Sequence, residues 1–159
     1  MDERARAIER LYRERYLAFR NGLATVTGSY ESAHDAVQEA FARALSKRSS
    51  LREEASLEAW VWRIALRTAL EHRPRHSGAS LNGSLDPQLP EPERDPELAR
   101  ALRALPPRRR LVVFLRYFVD LSYGDIAEAC GIAEGTVAAT LAQAQAELKE
   151  ALTREGVER

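Results

Sequence analysis

Apolar residues recur along this chain three and four positions apart, and no apolar–polar alternation runs long enough to suggest a strand. Ile8, Tyr12, Phe19, Leu23 and Val26 share one face of a helix predicted over residues 2–26, with the charged positions mostly off that face. Thr27, Gly28 and Ser29 interrupt it. A second helix, residues 31–45, turns Val37, Phe41, Ala44 and Leu45 inward and leaves Asp35, Gln38, Glu39 and Arg43 for the other side. A polar loop without Gly or Pro follows over residues 46–54. Ser56 then caps a third helix that reaches His72, with a buried stripe of Leu57, Trp60, Val61, Ile64, Ala65 and Thr68. Trp62, Arg63, Arg67, Glu71 and Arg73 face elsewhere. Pro74 ends the helix.

Residues 74–96 hold five prolines and two glycines with little to bury, the composition of a flexible linker. Helical spacing resumes at Asp95-Pro96, a cap followed by proline at the first helical position. Leu98, Leu102 and Leu105 make a short helix. Pro106-Pro107 stops it and starts another carrying Leu111, Phe114, Leu115 and Phe118. Over residues 121–148 two helices meet at a tight turn. Ser122 caps the first, and Gly131 stands where a left-handed residue is needed. Ile126, Ile132, Val137, Leu141 and Leu148 supply the apolar stripe. This is a helix-turn-helix pattern, whose second helix commonly enters a DNA major groove; the plainer alternative is a hairpin that only packs. The predicted fold is all-α: two small helical domains, residues 1–75 and 97–159, joined by a linker at 76–96.

Charge complicates a DNA-reading role for the second domain. The formal net charge is zero, but residues 1–75 carry 14 bases against 11 acids, while residues 76–97 carry 1 against 5. Between Arg116 and Lys149 there is no Lys or Arg, and five acids give that interval a net charge of −5. Cations on phosphates supply most DNA affinity. The outward face of the last helix offers Thr136, Ala138, Ala139, Thr140 and Gln143, which can touch bases but bring no Coulomb attraction. In the first domain, aromatic and Arg residues interleave on the third helix, as a single-stranded nucleic acid platform requires and as an ordinary amphipathic helix also shows.

Enzyme readings are weak, and no cofactor is expected. There is no glycine-rich phosphate loop and no metal-ligand spacing, and His34, His72 and His76 lack the company that would mark a metal or nucleophile site. The single cysteine, Cys130, excludes an internal disulfide and reads as a packing residue. No apolar run approaches a membrane span and no signal peptide opens the sequence, so the expected location is cytoplasmic, away from any membrane.

Three blocks in series resemble the extracytoplasmic-function group of bacterial sigma factors: SAHDAVQEAFARAL (32–45), LEAWVWRIALRTALEHRPR (57–75) and LRALPPRRRLVVFLRYFVDLSYGDIAEACGIAEGTV (102–137). The first two match the family's region 2 and the third its region 4. The resemblance implies partners: bacterial core RNA polymerase, promoter DNA and, in many members, an anti-sigma factor between the domains. It implies polymerase docking by Asp35, Gln38, Glu39, Phe41 and Arg43. It implies opening of the minus-ten element by the loop at 46–56 and the following helix, with Trp60, Arg63, Arg67, Thr68, Glu71 and His72 near the strand. The family usually has Asn where Thr68 stands and often Asp where Glu71 stands, which bears on base preference. Region 4 would read the minus-thirty-five element through Thr136, Ala138, Ala139, Thr140 and Gln143, and the Phe114, Tyr117, Phe118 face would suit the polymerase flap. The family's recognition helix usually carries Lys or Arg, and this one does not. Two outcomes follow: a region 4 that reads DNA weakly while tethered by polymerase, helped by Arg108–Arg110, or one given over to protein contacts in a sigma-like adaptor.

Overall fold

The computed structural model describes residues 2–72 and 96–157, with side chains through Arg154. The linker expected at 76–96 therefore lies almost wholly outside the described residues, as do Arg73 and His76.

Seven α-helices make up the described chain, and it contains no strand. Helix α1 (Glu3–Thr27) starts where the Asp2 carboxylate accepts the Ala5 N–H at 2.8 Å, and it ends at Gly28, whose φ of 100° only glycine adopts without strain. Ser29 caps α2 (Tyr30–Ser46) through the Ser32 N–H at 3.1 Å. The polar loop contains one 3-10 turn, Arg48–Ser50, tied to the start of α1. Arg48 Nε donates to Asp2 at 2.7 Å, and Arg4 Nη1 donates to the Arg48 carbonyl at 3.1 Å. Ser56 caps α3 (Leu57–Glu71) as its position predicts.

The second group comprises α4 (Pro96–Ala104), α5 (Pro107–Tyr117), α6 (Tyr123–Cys130) and α7 (Glu134–Val157). Ser122 caps α6 and Gly131 closes it at φ 68°. Between α5 and α6 the chain turns at Asp120, whose φ of 63° is a conformation Asp tolerates better than most residues. Arg110 is buried. Its Nη2 donates to the carbonyls of Arg103 and Leu105, at 2.8 and 3.1 Å, closing the carbonyl end of α4. It is thus withdrawn from the phosphate-contact cluster expected at 108–110. Arg109 pairs with Glu147, which leaves Arg108 exposed.

The two groups share a core. Helix α3 packs on α1 and α2 on one side and on α6 on the other, and α1 also meets α5. At the junction the Trp62 ring stacks on Phe19 at 4.1 Å and stands edge-on to Phe114 at 6.4 Å. Gly22 lets these rings close on α1, because a Cβ there would lie 2.7 Å from Trp62 Cη2 and 3.1 Å from Phe114 Cε1. Arg15 crosses the seam, with Nη2 donating to the Val119 carbonyl at 3.4 Å and Nε to Glu58 at 3.0 Å. Trp62, expected off the buried stripe, is wholly buried. Helix α3 is covered from two sides, and a one-faced amphipathic reading allows for only one. No described helix is long and apolar enough to cross a membrane.

Candidate nucleic-acid and partner interface

Three surfaces carry the residues singled out by sequence. On α2, Asp35 and Gln38 are exposed, and the Gln38 amide donates to the Tyr12 hydroxyl. Phe41, expected on the docking face, lies in the core at 5% exposure. Its ring meets Tyr12 and Phe19 edge-on at 5.2 and 5.0 Å. The periodicity that put Phe41 on the inner face of α2 is correct, and a contact role for it is not available in this arrangement.

On α3, Arg63 and Arg67 are exposed and Trp60 is half-buried against the core. Thr68, expected near a DNA strand, is fully buried. Its hydroxyl donates to the Ile64 carbonyl at 2.8 Å and accepts from Arg43 Nη1 at 3.1 Å. Glu71 is exposed and His72 half-buried at the end of the helix. Both are held from α2: Arg43 Nη2 lies 2.7 Å from Glu71 and 2.7 Å from Glu39, and His72 Nε2 is 2.5 Å from the other Glu39 oxygen. The hydrogen bond from His72, then the Arg43 charge, hold the Glu39 carboxyl below its ordinary range. Arg43 does the same to Glu71, first by hydrogen bonding and then by its charge. The residues expected to serve two different partners thus form one polar cluster.

Arg63, Arg67 and Arg108 border a groove of about 530 Å³ between the two helix groups, with Leu66, Leu70, Leu111 and Cys130 among its walls. Burial pushes the Cys130 thiol up to about 11, so at neutral pH it is an unreactive packing group, as expected.

On α7, Thr136, Ala138, Ala139 and Gln143 are exposed. Thr140 is turned in, and its hydroxyl donates to the Thr136 carbonyl at 2.7 Å, so it drops out of the outward set. Gln145 donates to the Tyr117 hydroxyl at 2.7 Å. Tyr117 and Phe118 are exposed, but Phe114, grouped with them in the sequence, is buried at the junction beside Trp62. Sequence reasoning missed Arg15 and Trp62 as seam residues, and it missed the Glu39–His72 link. Only the i,i+4 spacing of Glu39 and Arg43 hinted at that cluster, because its other half lies on a different helix.

Comparison with known proteins gives a consistent result. The family model described as Sigma-70 region 2 matches residues 11–78, and that described as Sigma-70, region 4 matches residues 96–148. The RNA polymerase sigma factor YlaC of Bacillus subtilis is 32% identical over 161 residues, covering 93% of each chain. The ECF RNA polymerase sigma factor SigM of Mycobacterium tuberculosis is 29% identical over 92% of this chain and 77% of its own. Two solved structures share the fold. The sigma factor RpoE, in complex with the anti-sigma factor NepR from Bartonella quintana, has a TM-score of 0.65 at 24% identity, covering 91% of this chain and 98% of that one. CnrH, in complex with the cytosolic domain of CnrY, has a TM-score of 0.64 at 21% identity, covering 94% and 89%.

Proposed function

Because this chain belongs to the sigma-70 family, in its extracytoplasmic-function group, we propose a division of labour among its surfaces as it binds core RNA polymerase and directs promoter-specific initiation. On α2, exposed Asp35 and Gln38, with half-buried Glu39 beside them, dock on polymerase. Arg63 and Arg67 on α3, with Trp60, Glu71 and His72, take the minus-ten strand. The α7 face of Thr136, Ala138, Ala139 and Gln143 meets the upstream element while polymerase holds it there. The protein works in the cytoplasm beside polymerase and performs no catalytic step of its own.

The observation that carries this reading is the contrast between α3 and α7. Exposed guanidinium groups stand on α3, where an opened strand needs phosphate contacts and nearby rings. The outer face of α7 has no cation between Arg116 and Lys149, so it must rely on tethering. That same deficit favours the second reading, an adaptor that rides on polymerase without selecting promoters. A protein partner of the kind seen with RpoE would find its surface in the interdomain groove, where apolar walls meet Arg63, Arg67 and Arg108.

Run-off transcription with purified core polymerase on genomic fragments tests the assignment. Discrete new start sites sharing a minus-ten motif are expected. Retained binding to core with no new starts would select the adaptor, and no binding to core would remove the basis of the surface assignments.

A further inference from the structure

We propose that Arg43 is a positioning residue for promoter opening, which orients the last turn of α3, rather than a polymerase contact; this rests on the surface assignments of the preceding subsection. Arg43 sits on the polymerase-docking helix, but its guanidinium is turned toward α3. Nη1 donates to Thr68 Oγ1 at 3.1 Å, and Nη2 reaches Glu71 at 2.7 Å and Glu39 at 2.7 Å. Glu39 in turn receives His72 at 2.5 Å. Two side chains of α2 therefore hold three from the end of α3: Thr68, Glu71 and His72.

That end needs such a device. Its buried side chains are small, Thr68 and Ala69, and Leu70 is exposed, so apolar packing alone aims the final turn weakly. The final turn follows directly on Arg67 and bears Glu71 and His72. A planar guanidinium with several fixed donors can bind a hydroxyl and two carboxylates at once, which an ammonium cannot do in the same geometry. Thr68 is part of the device. Its hydroxyl accepts from Arg43 while donating to the Ile64 carbonyl, so the guanidinium is referenced to the α3 backbone itself.

The test uses holoenzyme assembled from the full chain and core polymerase. Arg43→Met keeps the aliphatic stem and removes the donors. Core affinity is expected to stay within about twofold, while the rate of minus-ten opening at saturating holoenzyme falls by about tenfold or more, the loss expected from several charge-assisted hydrogen bonds. Opening is read by fluorescence of a base analogue in the element. Arg43→Lys should recover part of the rate, through the carboxylates but not Thr68. Thr68→Val, a change of similar shape at a fully buried residue outside the strand-contact set, removes the hydroxyl that ties Arg43 to α3 and should lower opening in the same direction with core affinity unchanged.

A fall in core affinity that accounts for the whole loss of opening would make Arg43 a docking residue and overturn the proposal. Unchanged opening in both Arg43→Met and Thr68→Val would reduce the cluster to a solvated ion pair and overturn it equally. If Arg43→Met fails to fold, Thr68→Val decides alone. The unsubstituted chain is the control for the underlying reading: no opening by that holoenzyme would mean that the sigma assignment, not the role of Arg43, has failed.

Discussion

Gly22 is a residue whose substitution has a sign that geometry decides. Alanine is favoured over glycine inside a helix by about 1 kcal/mol, so Gly22→Ala would stabilise α1 if its methyl group had room. It has none. The methyl carbon would come within 2.7 Å of a Trp62 ring held between Phe19 and Phe114, and that ring is wholly buried. Overpacking of this kind costs about 1–3 kcal/mol, so a lower denaturation midpoint is expected; a rise would show that the rings yield. Truncating the ring itself, Trp62→Ala, should cost about 3–5 kcal/mol, because it empties the seam. Trp62 Nε1 has no hydrogen-bond partner although it is buried, so at Trp62 the seam holds by area and stacking rather than by polar fit. The carboxylates give a pH dependence with a definite sign. Asp2, Glu39 and Glu71 all have pKa values depressed in the folded chain, by hydrogen bonds from Arg48, His72 and Arg43 respectively. A depressed carboxylate adds stability that is fully present above its unfolded pKa, near 4.5 for Glu, and is lost as pH falls through the folded value. Glu39→Gln should therefore be less stable than the parent at neutral pH, and the gap should close as pH falls below about 4.5, giving a shallower acid-unfolding curve; parallel curves would mean that the cluster does not persist in solution.

At the scale of the element, the helices themselves were legible and their second neighbours were not. Ser56, Ser122 and Gly131 marked the ends of helices from local chemistry alone, because a cap is satisfied within three residues of itself. The stripe of α7 was equally local, and Val137, Leu141 and Ala144 are buried as their spacing requires. The sequence reading of α3 went wrong at Trp62, whose burial depends on Phe114 of α5; it placed Thr68 in the buried stripe correctly but missed the guanidinium from α2 that meets it there. No period within α3 encodes either partner. Reading α7 gave the deficit of cations, and the structure sharpens it: Arg109 is committed to Glu147 and Arg110 to carbonyls of α4. A single added cation should therefore have a large relative effect. In Gln143→Lys holoenzyme, the logarithm of affinity for upstream duplex should fall with the logarithm of salt by about 0.9 more than in the parent, the value for one phosphate contact. An unchanged slope would mean that this face does not approach DNA.

At the scale of the whole molecule, the packed arrangement conflicts with the function unless it opens. The minus-ten and minus-thirty-five elements are about 25 base pairs apart, which is about 85 Å of duplex at 3.4 Å per base pair. A compact chain of 159 residues has a radius of gyration of about 15 Å, so its two ends lie too close to reach both elements. One copy can read both only if α6 leaves α3 and Phe114 leaves Trp62. The seam that must part is the same one that Gly22 allows to close, so the affinity of the two groups for each other competes directly with promoter engagement. Dyes placed at Lys47 and Lys149, exposed positions on the two groups, would measure this; Cys130→Ser would keep the labelling specific, although that thiol is already half-buried and suppressed. Energy transfer should be high in the free chain and should fall strongly once holoenzyme binds promoter DNA, with the separation growing by tens of ångströms, on the order of the duplex length to be spanned. Phe114→Ala should shift the free chain toward the open state and lower its transfer before any polymerase is added. Transfer that stays high in the promoter complex would mean that the groups never separate. In that case the chain could engage only the minus-ten element, and the missing cations of α7 would mark a domain that holds polymerase rather than DNA.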